Sequence, residues 1–335
     1  MNENSLLSSI NPKFLLVLSR ALAALRPSLI AFLVANAQRL SGGIHNPISF
    51  CNVLFVGNLC AALFVVAWFG ISPILQDLRQ TPPKILIGLF INGCLASLLS
   101  ALIFVGLTQT MVTNAVLLAR FGPILYALAG AVIFGKKILK WEWIGFSLIG
   151  VGILAILLIS TNFQINRGDL LILASSVVYA VTSIVGKFML TKDTPLRTVV
   201  FTRNFVSSIV FFGIASKLFG PEHFAETFAG QLWIVMSIYA LILIVLSQVL
   251  WYGALGRLDS RVVGKWTSCT PIFGVIFAFV LNGERPSAIQ VVSFAVIMIG
   301  VWLTTLGKQM PPKPEENKKA VEAIAVQGES SATAT

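Results

Sequence analysis

Arginine residues deep within apolar segments are the first chemically distinctive feature of this sequence. Arg120 and Arg203 each lie in a long apolar run, roughly 12–14 Å along a helix from its nearer end at 1.5 Å rise per residue. A charge at such a depth in a membrane costs at least ~2.5–3.5 kcal/mol on insertion scales, so it usually faces a cavity or a partner. A cavity lined by guanidinium groups would favour a carboxylate or phosphate, because arginine binds these groups in a bidentate way.

Other polar residues at similar depth could complete such a pocket. Lys265 would add a third positive charge, although its ammonium group is also within reach of the lipid headgroups. For the two arginines, the alternative to lining a cavity is pairing with main-chain carbonyl groups or with water. The uncharged candidates for the pocket are Asn92, Asn114, Tyr179, Gln248 and Tyr252. The alternative for each of them is a hydrogen bond between helices.

Two prolines occupy matching places in the sequence. Pro123 follows Arg120 by three residues, and Pro271 follows the Lys265 region in the same way. Proline inside a helix removes a backbone hydrogen bond and kinks the helix. We therefore expect both prolines to act as conformational hinges beside a central site, with fixed kinks as the alternative.

The composition requires a membrane setting. Hydrophobic residues make up 56% and charged residues 11% of the 335 residues, whereas soluble proteins carry roughly 25% charged residues. A helix needs about 20 apolar residues to cross the hydrocarbon. The segments that meet this requirement are 20–40, 48–70, 85–108, 111–135, 141–160, 169–190, 196–219, 231–255, 261–282 and 286–306.

The chain matches itself at a spacing of 148 residues. Pro47 pairs with Pro195, and Gly152 pairs with Gly300. Each copy would cross the membrane five times, and an odd number of crossings inverts the second copy relative to the first. The sequence therefore predicts an all-α polytopic membrane protein with ten transmembrane helices in two inverted five-helix repeats. The expected organisation is an N-terminal segment 1–19, repeats at 20–160 and 161–307, and a disordered cytoplasmic tail at 308–335.

The basic residues indicate the orientation. Sixteen Lys and Arg residues fall on one side of the predicted spans, with Arg20 and Arg26 among them, and four fall on the other side. By the positive-inside rule both termini are cytoplasmic. The net charge of +11 is located mainly in short loops, so we expect a lipid bilayer and no nucleic acid as partner.

Enzymatic and metal chemistry have little support in this sequence. Both histidines, His45 and His223, fall in predicted outer loops, and no cysteine pattern indicates a metal site, so we expect no cofactor. All acidic residues lie in tails, loops or span ends. We interpret Asp169 and Glu284 as solvated loop charges, which leaves no intramembrane acid to carry protons and favours solute exchange or a facilitated path.

Two matched stretches resemble a known family. The sequence PILYALAGAVIFGKK at 123–137 is matched by PIFGVIFAFVLNGER at 271–285, and each is followed by a glycine-rich helix. On this basis residues 20–306 resemble the drug/metabolite transporter superfamily, in its ten-helix form with two EamA-like domains. The resemblance implies that the proline opens the second part of the fourth helix and that a Gly-Glu pair closes it. The second repeat has Gly283–Glu284, whereas the first has Gly135–Lys136.

The combined hypothesis is a secondary transporter that works by alternating access. The family resemblance implies a small organic metabolite as solute, and many bacterial members resemble efflux permeases. A membrane channel or a non-transporting sensor is the alternative, followed by a membrane-embedded enzyme. We expect a monomer or homodimer in a bacterial cytoplasmic (inner) membrane. The small residues of spans five and ten, such as Gly145 and Gly300, predict a scaffold or dimer contact.

Overall fold

The computed structural model describes residues 10–36, 50–134, 137–159, 166–189, 196–218, 230–247 and 269–307, together with Leu250, Ala254, Leu258 and Trp266. Within these ranges the chain is helical and contains no β-strand, which confirms the all-α prediction. A π-helix at Ala240–Leu246 continues α10. The α-helices are α1 Pro12–Ala35, α2 Phe50–Phe69, α3 Ile71–Gln80, α4 Pro83–Leu107, α5 Val112–Leu118, α6 Phe121–Phe134, α7 Lys140–Leu158, α8 Arg167–Met189, α9 Leu196–Leu218, α10 Gly230–Tyr239, α11 Thr270–Asn282 and α12 Ala288–Gly307.

Length and apolar composition support membrane spanning for much of the described chain. Five single helices pass both criteria, namely α1, α4, α7, α8 and α12, and so do α5 and α6 when they are taken together as Val112–Ile133. A seventh span results if α2 and α3 count as one bent span. Two apolar helices, at Leu232–Leu246 and Thr270–Asn282, are shorter. The count of ten spans therefore stays a prediction.

The first helix begins earlier than the predicted span 20–40. Helix α1 starts at Pro12, where the Asn11 side chain accepts a hydrogen bond of 3.0 Å from the Lys13 main-chain amide. A proline at the start of a helix loses no hydrogen bond, because that amide has no intrahelical partner. Arg20 and Arg26 consequently lie inside α1, and their assignment to the loop region was wrong.

Helix α3 was not predicted from the sequence, which indicated a loop after residue 70. It turns away from α2 by 99° at Gly70, whose φ of +84° is favourable for glycine and unfavourable for other residues. Asp77 on α3 accepts hydrogen bonds from the Arg197 and Thr198 side chains at the start of α9. Helix α3 is therefore attached to the second repeat.

Helices α7 and α12, which occupy equivalent places in the two repeats, pack antiparallel. A Cβ atom added at Gly145 of α7 would lie 2.5 Å from the Gly300 carbonyl oxygen of α12, and one at Gly152 would lie 3.1 Å from that of Ser293. The contacts join residue 145 to residue 300 and residue 152 to residue 293, so the two helices run in opposite directions. At the 148-residue spacing, residue 145 is equivalent to residue 293 and residue 152 to residue 300, so the pair is symmetric. This arrangement is that of an inverted pair. The predicted close packing of spans five and ten lies within one chain.

The fourth helix of the first repeat is broken rather than kinked. Ala119 and Arg120 form a turn between α5 and α6, and the Arg120 amide donates to the Leu117 carbonyl oxygen at 3.1 Å. Pro123 is the third residue of α6, and Pro271 is the second residue of α11. Both prolines thus lie in a first helical turn, where their missing amide causes little loss. Their hinge role stays a prediction.

Candidate functional site

A cavity of about 990 Å³ lies between the two repeats. Helices α1, α2, α4 and α6 contribute to its wall from the first repeat, and α8, α9, α10 and the π-helix contribute from the second. In the described part of the lining, arginine side chains are present and no side chain is acidic, so this part of the wall is electropositive. The polar lining residues are Arg26, Asn58, Asn92, Ser100, Tyr126, Tyr179, Thr182, Ser183, Arg203, Asn204, Ser207 and Tyr239.

Arg203 brings a positive charge into the cavity from α9, about two turns from the start of this helix. Its position in the first repeat is taken by Phe55, whose ring packs against Phe212 with centroids 5.3 Å apart. The two repeats therefore do not present the same chemistry, and the cation is contributed by the second repeat alone at this position.

Two polar groups of the lining have unused hydrogen-bonding capacity. The Asn92 side-chain carbonyl oxygen and the Thr182 hydroxyl group are buried and have no hydrogen-bond partner in the structure. Buried polar groups are normally paired with protein, water or ligand.

Arg26 also lines the cavity, and its guanidinium group is hydrogen-bonded to the main chain of the second repeat. Its Nε atom donates to the Leu243 carbonyl oxygen in the π-helix at 2.8 Å. π-Helical segments are rare in proteins, and those that occur are often located at functional sites. Tyr239, one residue before the π-helix, lines the cavity beside Arg26.

Arg120 is not among the residues that line this cavity. Its Nε atom donates to the Val116 carbonyl oxygen at 3.4 Å, while the Arg120 amide is directed to Leu117. Pairing with a main-chain carbonyl is thus the arrangement that the structure shows for this arginine. The helix break explains it, because Val116 no longer accepts from the amide four residues later.

The other predicted binding residues fall into three groups. Asn92 and Tyr179 line the cavity together with Arg203. Asn114 lies elsewhere, where its side-chain oxygen accepts from the Gln290 amide at 2.7 Å. The remaining predicted residues are outside the described residues, and they are Gln248, Tyr252 and Lys265.

Sequence reasoning missed several lining residues. Asn58, Tyr126, Thr182 and Asn204 are polar groups within apolar helices, which was the same signal that selected Asn92. Arg26 was missed because it was assigned to a loop. An additional clue was available there, since a basic residue in an apolar run of sufficient length requires a partner.

Two acids that we expected to be solvated are engaged in the fold. The Glu284 carboxylate accepts from the Val112 and Thr113 amides at the start of α5, so it caps a helix of the other repeat. Asp169 at the start of α8 is 0% exposed. Their interpretation as solvated loop charges was wrong.

Comparison with known proteins gives a consistent family assignment. The EamA-like transporter family matches residues 18–158 and again residues 166–306. An uncharacterized transporter of Synechocystis sp. is 30% identical over 285 residues, covering 82% of this chain and 81% of the relative. A protein of Salmonella typhimurium named a probable amino-acid metabolite efflux pump is 25% identical over 185 residues, covering 53% of this chain and 62% of the relative.

A solved crystal structure also shares the fold. It is 18% identical, has a TM-score of 0.54, and the similarity covers 86% of this chain and 96% of that chain. At this identity the likeness concerns the fold alone. The two family matches cover most of the sequence and coincide with the antiparallel repeats around the cavity. The chain therefore belongs to the EamA-like transporter family.

Proposed function

We propose that this protein is a secondary transporter that moves a small organic solute with an anionic group through the cavity between its repeats. The observation that carries the proposal is the position of Arg203 in a cavity of about 990 Å³ whose described lining contains no acid. In alternating access, the two inverted repeats would move against each other so that this site opens first to one side of the membrane and then to the other.

The lining chemistry supports a solute with more than one functional group. Arg203 would bind a carboxylate or phosphate oxygen, and Asn92 would accept a hydrogen bond from an amine or hydroxyl group. Tyr126, Tyr179 and Tyr239 provide apolar ring surface for the rest of the molecule. The efflux-pump name of the Salmonella relative supports the same broad solute class.

The first test is a thermal-shift screen of the purified protein against matched sets of anionic, neutral and cationic metabolites. A bound solute stabilises the folded state by mass action. We expect stabilisation by members of the anionic set. Stabilisation confined to cationic metabolites would contradict the proposed anionic group.

The solute found in this way is then tested in proteoliposomes by counterflow. A transporter shows faster uptake of labelled solute when unlabelled solute is present inside. Flux that is independent of internal solute would favour a channel, and binding without any flux would favour a non-transporting sensor. Chemical conversion of the solute would favour an enzyme.

Variants of Arg203 test its role directly. Arg203→Gln should weaken solute binding by about tenfold or more, because a hydrogen bond to a charged group contributes about 1.5–3 kcal/mol. Arg203→Lys keeps the charge and should have an intermediate effect. Arg79→Gln is the matched control, since Arg79 is exposed on α3 and does not line the cavity. Equal affinity in all variants would remove Arg203 from the site.

The proposed setting is a bacterial inner membrane with cytoplasmic termini. Removal of Arg20 and Arg26 from the count of loop charges leaves fourteen basic residues against four, so the positive-inside rule gives the same orientation. Since the small-residue faces of α7 and α12 pack on each other within the chain, they are not available for a dimer contact, and a monomer is the simplest functional unit.

A further inference from the structure

The side of the protein that carries few basic residues has a polar junction between the repeats, which we call the outer seam. It comprises residues 108–114 of the first repeat and residues 166–169 and 284–290 of the second. The Asn166 amide donates to the Gln109 carbonyl oxygen at 2.7 Å. Gly168 permits this approach, because a Cβ atom there would lie 2.7 Å from the Gln109 carbonyl carbon.

Asp169 lies at the centre of the outer seam and is 0% exposed. Its Oδ1 atom accepts a hydrogen bond from the Thr110 hydroxyl group, and the Asn114 side chain interacts with the same carboxyl group. Its Oδ2 atom is buried and has no hydrogen-bond partner in the structure. The carboxyl group is thus enclosed with few donors.

The surroundings of Asp169 contain few charged groups. Glu284 and Arg285 come from the connection between α11 and α12, and Arg167 lies on α8 itself; both arginines are exposed. The adjoining end of α4, the whole of α5 and the whole of α12 carry no ionisable side chain. Among the described residues, Asp169 has no ion pair.

Other engaged acids of the protein are better supplied with donors. Asp77 accepts from the Arg197 guanidinium group at 2.6 and 2.9 Å and from the Thr198 hydroxyl group at 2.9 Å. Glu284 accepts from two main-chain amides and from the Thr113 hydroxyl group. Asp169 has the Thr110 hydroxyl group at Oδ1 and the interaction with the Asn114 side chain but no donor at Oδ2, so its buried carboxylate is less well compensated and binds a proton more readily.

We propose that Asp169 is a proton-binding site whose occupancy keeps the outer seam closed. When the seam closes, one proton passes from the outer solution to Oδ2 of Asp169, and the carboxyl group becomes neutral. When the proton returns to that solution, the carboxylate requires water, and hydration requires the seam to separate. The inference rests on the proposed alternating access, and it makes the outward-open state the favoured state at higher outer pH.

The test measures the seam itself, so it needs no solute. All four native cysteines are replaced by alanine, and cysteines for spin labels are introduced at the exposed positions Thr108 and Ala288. The distance between the two spin labels is measured by double electron–electron resonance. Between about pH 5 and about pH 8, a range open to a buried carboxyl group, we expect a reversible change from a short to a long distance. One proton limits the change in the ratio of the two populations to tenfold per pH unit.

Variants assign the transition to Asp169. Asp169→Asn imitates the neutral acid and should keep the short distance at every pH. Glu142→Gln is the matched control, because Glu142 is also largely buried but lies at the start of α7, where it accepts from the Leu139 amide; it should titrate like the parent protein. A transition that persists in Asp169→Asn, or that responds to Na⁺ rather than to pH, would overturn the proposal.

A second variant covers the case in which Asp169→Asn does not fold. Thr110→Val removes the hydroxyl donor of the carboxylate and retains the acid, so the transition midpoint should move to higher pH by about one unit. An unchanged midpoint, or a parent protein whose distances do not depend on pH, would overturn the proton site. Neither result would affect the solute-binding measurements on Arg203.

Discussion

The guanidinium group of Arg26 in α1 is hydrogen-bonded to the main-chain carbonyl oxygen of Leu243 in the π-helix, with Nε at 2.8 Å. The bond joins the middle of the first helix of one repeat to the third helix of the other. A similar solution occurs at Arg120, which donates to the Val116 carbonyl oxygen beside a helix break. In both cases an arginine in an apolar segment is hydrogen-bonded to the main chain at an irregular helical segment.

Substitution of Arg26 should therefore affect stability as well as transport. Arg26→Gln removes a charged hydrogen bond, which contributes about 1.5–3 kcal/mol, and we expect a lower thermal midpoint in detergent together with reduced solute flux. Arg26→Lys should recover part of the stability, since the ammonium group can make one such bond. Arg79→Gln, at an exposed position, should change neither property. An Arg26→Gln protein as stable as the parent would show that the bond contributes nothing.

Much of the fold could be predicted because apolar runs and the 148-residue repeat are long-range, redundant signals. The boundaries of α2, α4, α7, α8 and α9 lie within a few residues of the predicted spans. Helix α3 could not be found in this way, because it is short and amphipathic and depends on a turn at Gly70 and on the pairing of Asp77 with Arg197.

The candidate site was less accessible to sequence reasoning. Depth along a helix predicted that Arg203, Asn92 and Tyr179 lie near the midplane, and all three line the cavity. Depth alone gives no information on which face of a helix a residue occupies. The same criterion therefore selected Arg120, which donates to a carbonyl oxygen of the preceding helix α5, and Asn114, which lies in the outer seam.

The ion pair of Asp77 with Arg197 should make stability depend on pH. The Arg197 guanidinium group, which donates hydrogen bonds to the carboxylate, lowers the pKa of Asp77 below its usual range. An acid whose pKa is lower in the folded state contributes stability above its unfolded pKa of about 3.9 and loses that contribution as the pH falls through the folded value.

Asp77→Asn should consequently lower the free energy of unfolding near neutral pH. The loss should be on the order of 1 kcal/mol, as for a partly exposed ion pair. The difference from the parent protein should disappear when the pH falls below the pKa of Asp77. Chemical unfolding monitored by tryptophan fluorescence at several pH values measures both effects. A difference that is the same at all pH values would attribute the loss to packing rather than to the ion pair.

The contact of Gly145 with Gly300 should not tolerate even one methyl group. A Cβ atom at position 145 would lie 2.5 Å from a main-chain carbonyl oxygen, and separating the helices to relieve this costs about 1–3 kcal/mol. We expect Gly145→Ala to lower the thermal midpoint clearly. Gly150→Ala is a control on the same helix, where no atom lies within 4 Å of the added Cβ, and it should be neutral or stabilising by up to about 1 kcal/mol. Equal effects of both substitutions would contradict the close packing of α7 on α12.

The orientation of the protein can be tested at the two ends of α7. Lys137 precedes this helix and Arg167 follows it after a short connection, and both side chains are exposed. The 19 residues of α7 extend about 28 Å at 1.5 Å per residue, which is close to the thickness of the hydrocarbon.

In a cysteine-free background, a membrane-impermeant thiol reagent applied to intact cells should label Arg167→Cys, whereas Lys137→Cys should react only after permeabilisation. Thr108→Cys should behave like Arg167→Cys, because Thr108 belongs to the outer seam that also includes Asn166. Reversed labelling would place the termini outside and invert the orientation, and equal labelling of both sites would show that α7 does not cross the membrane.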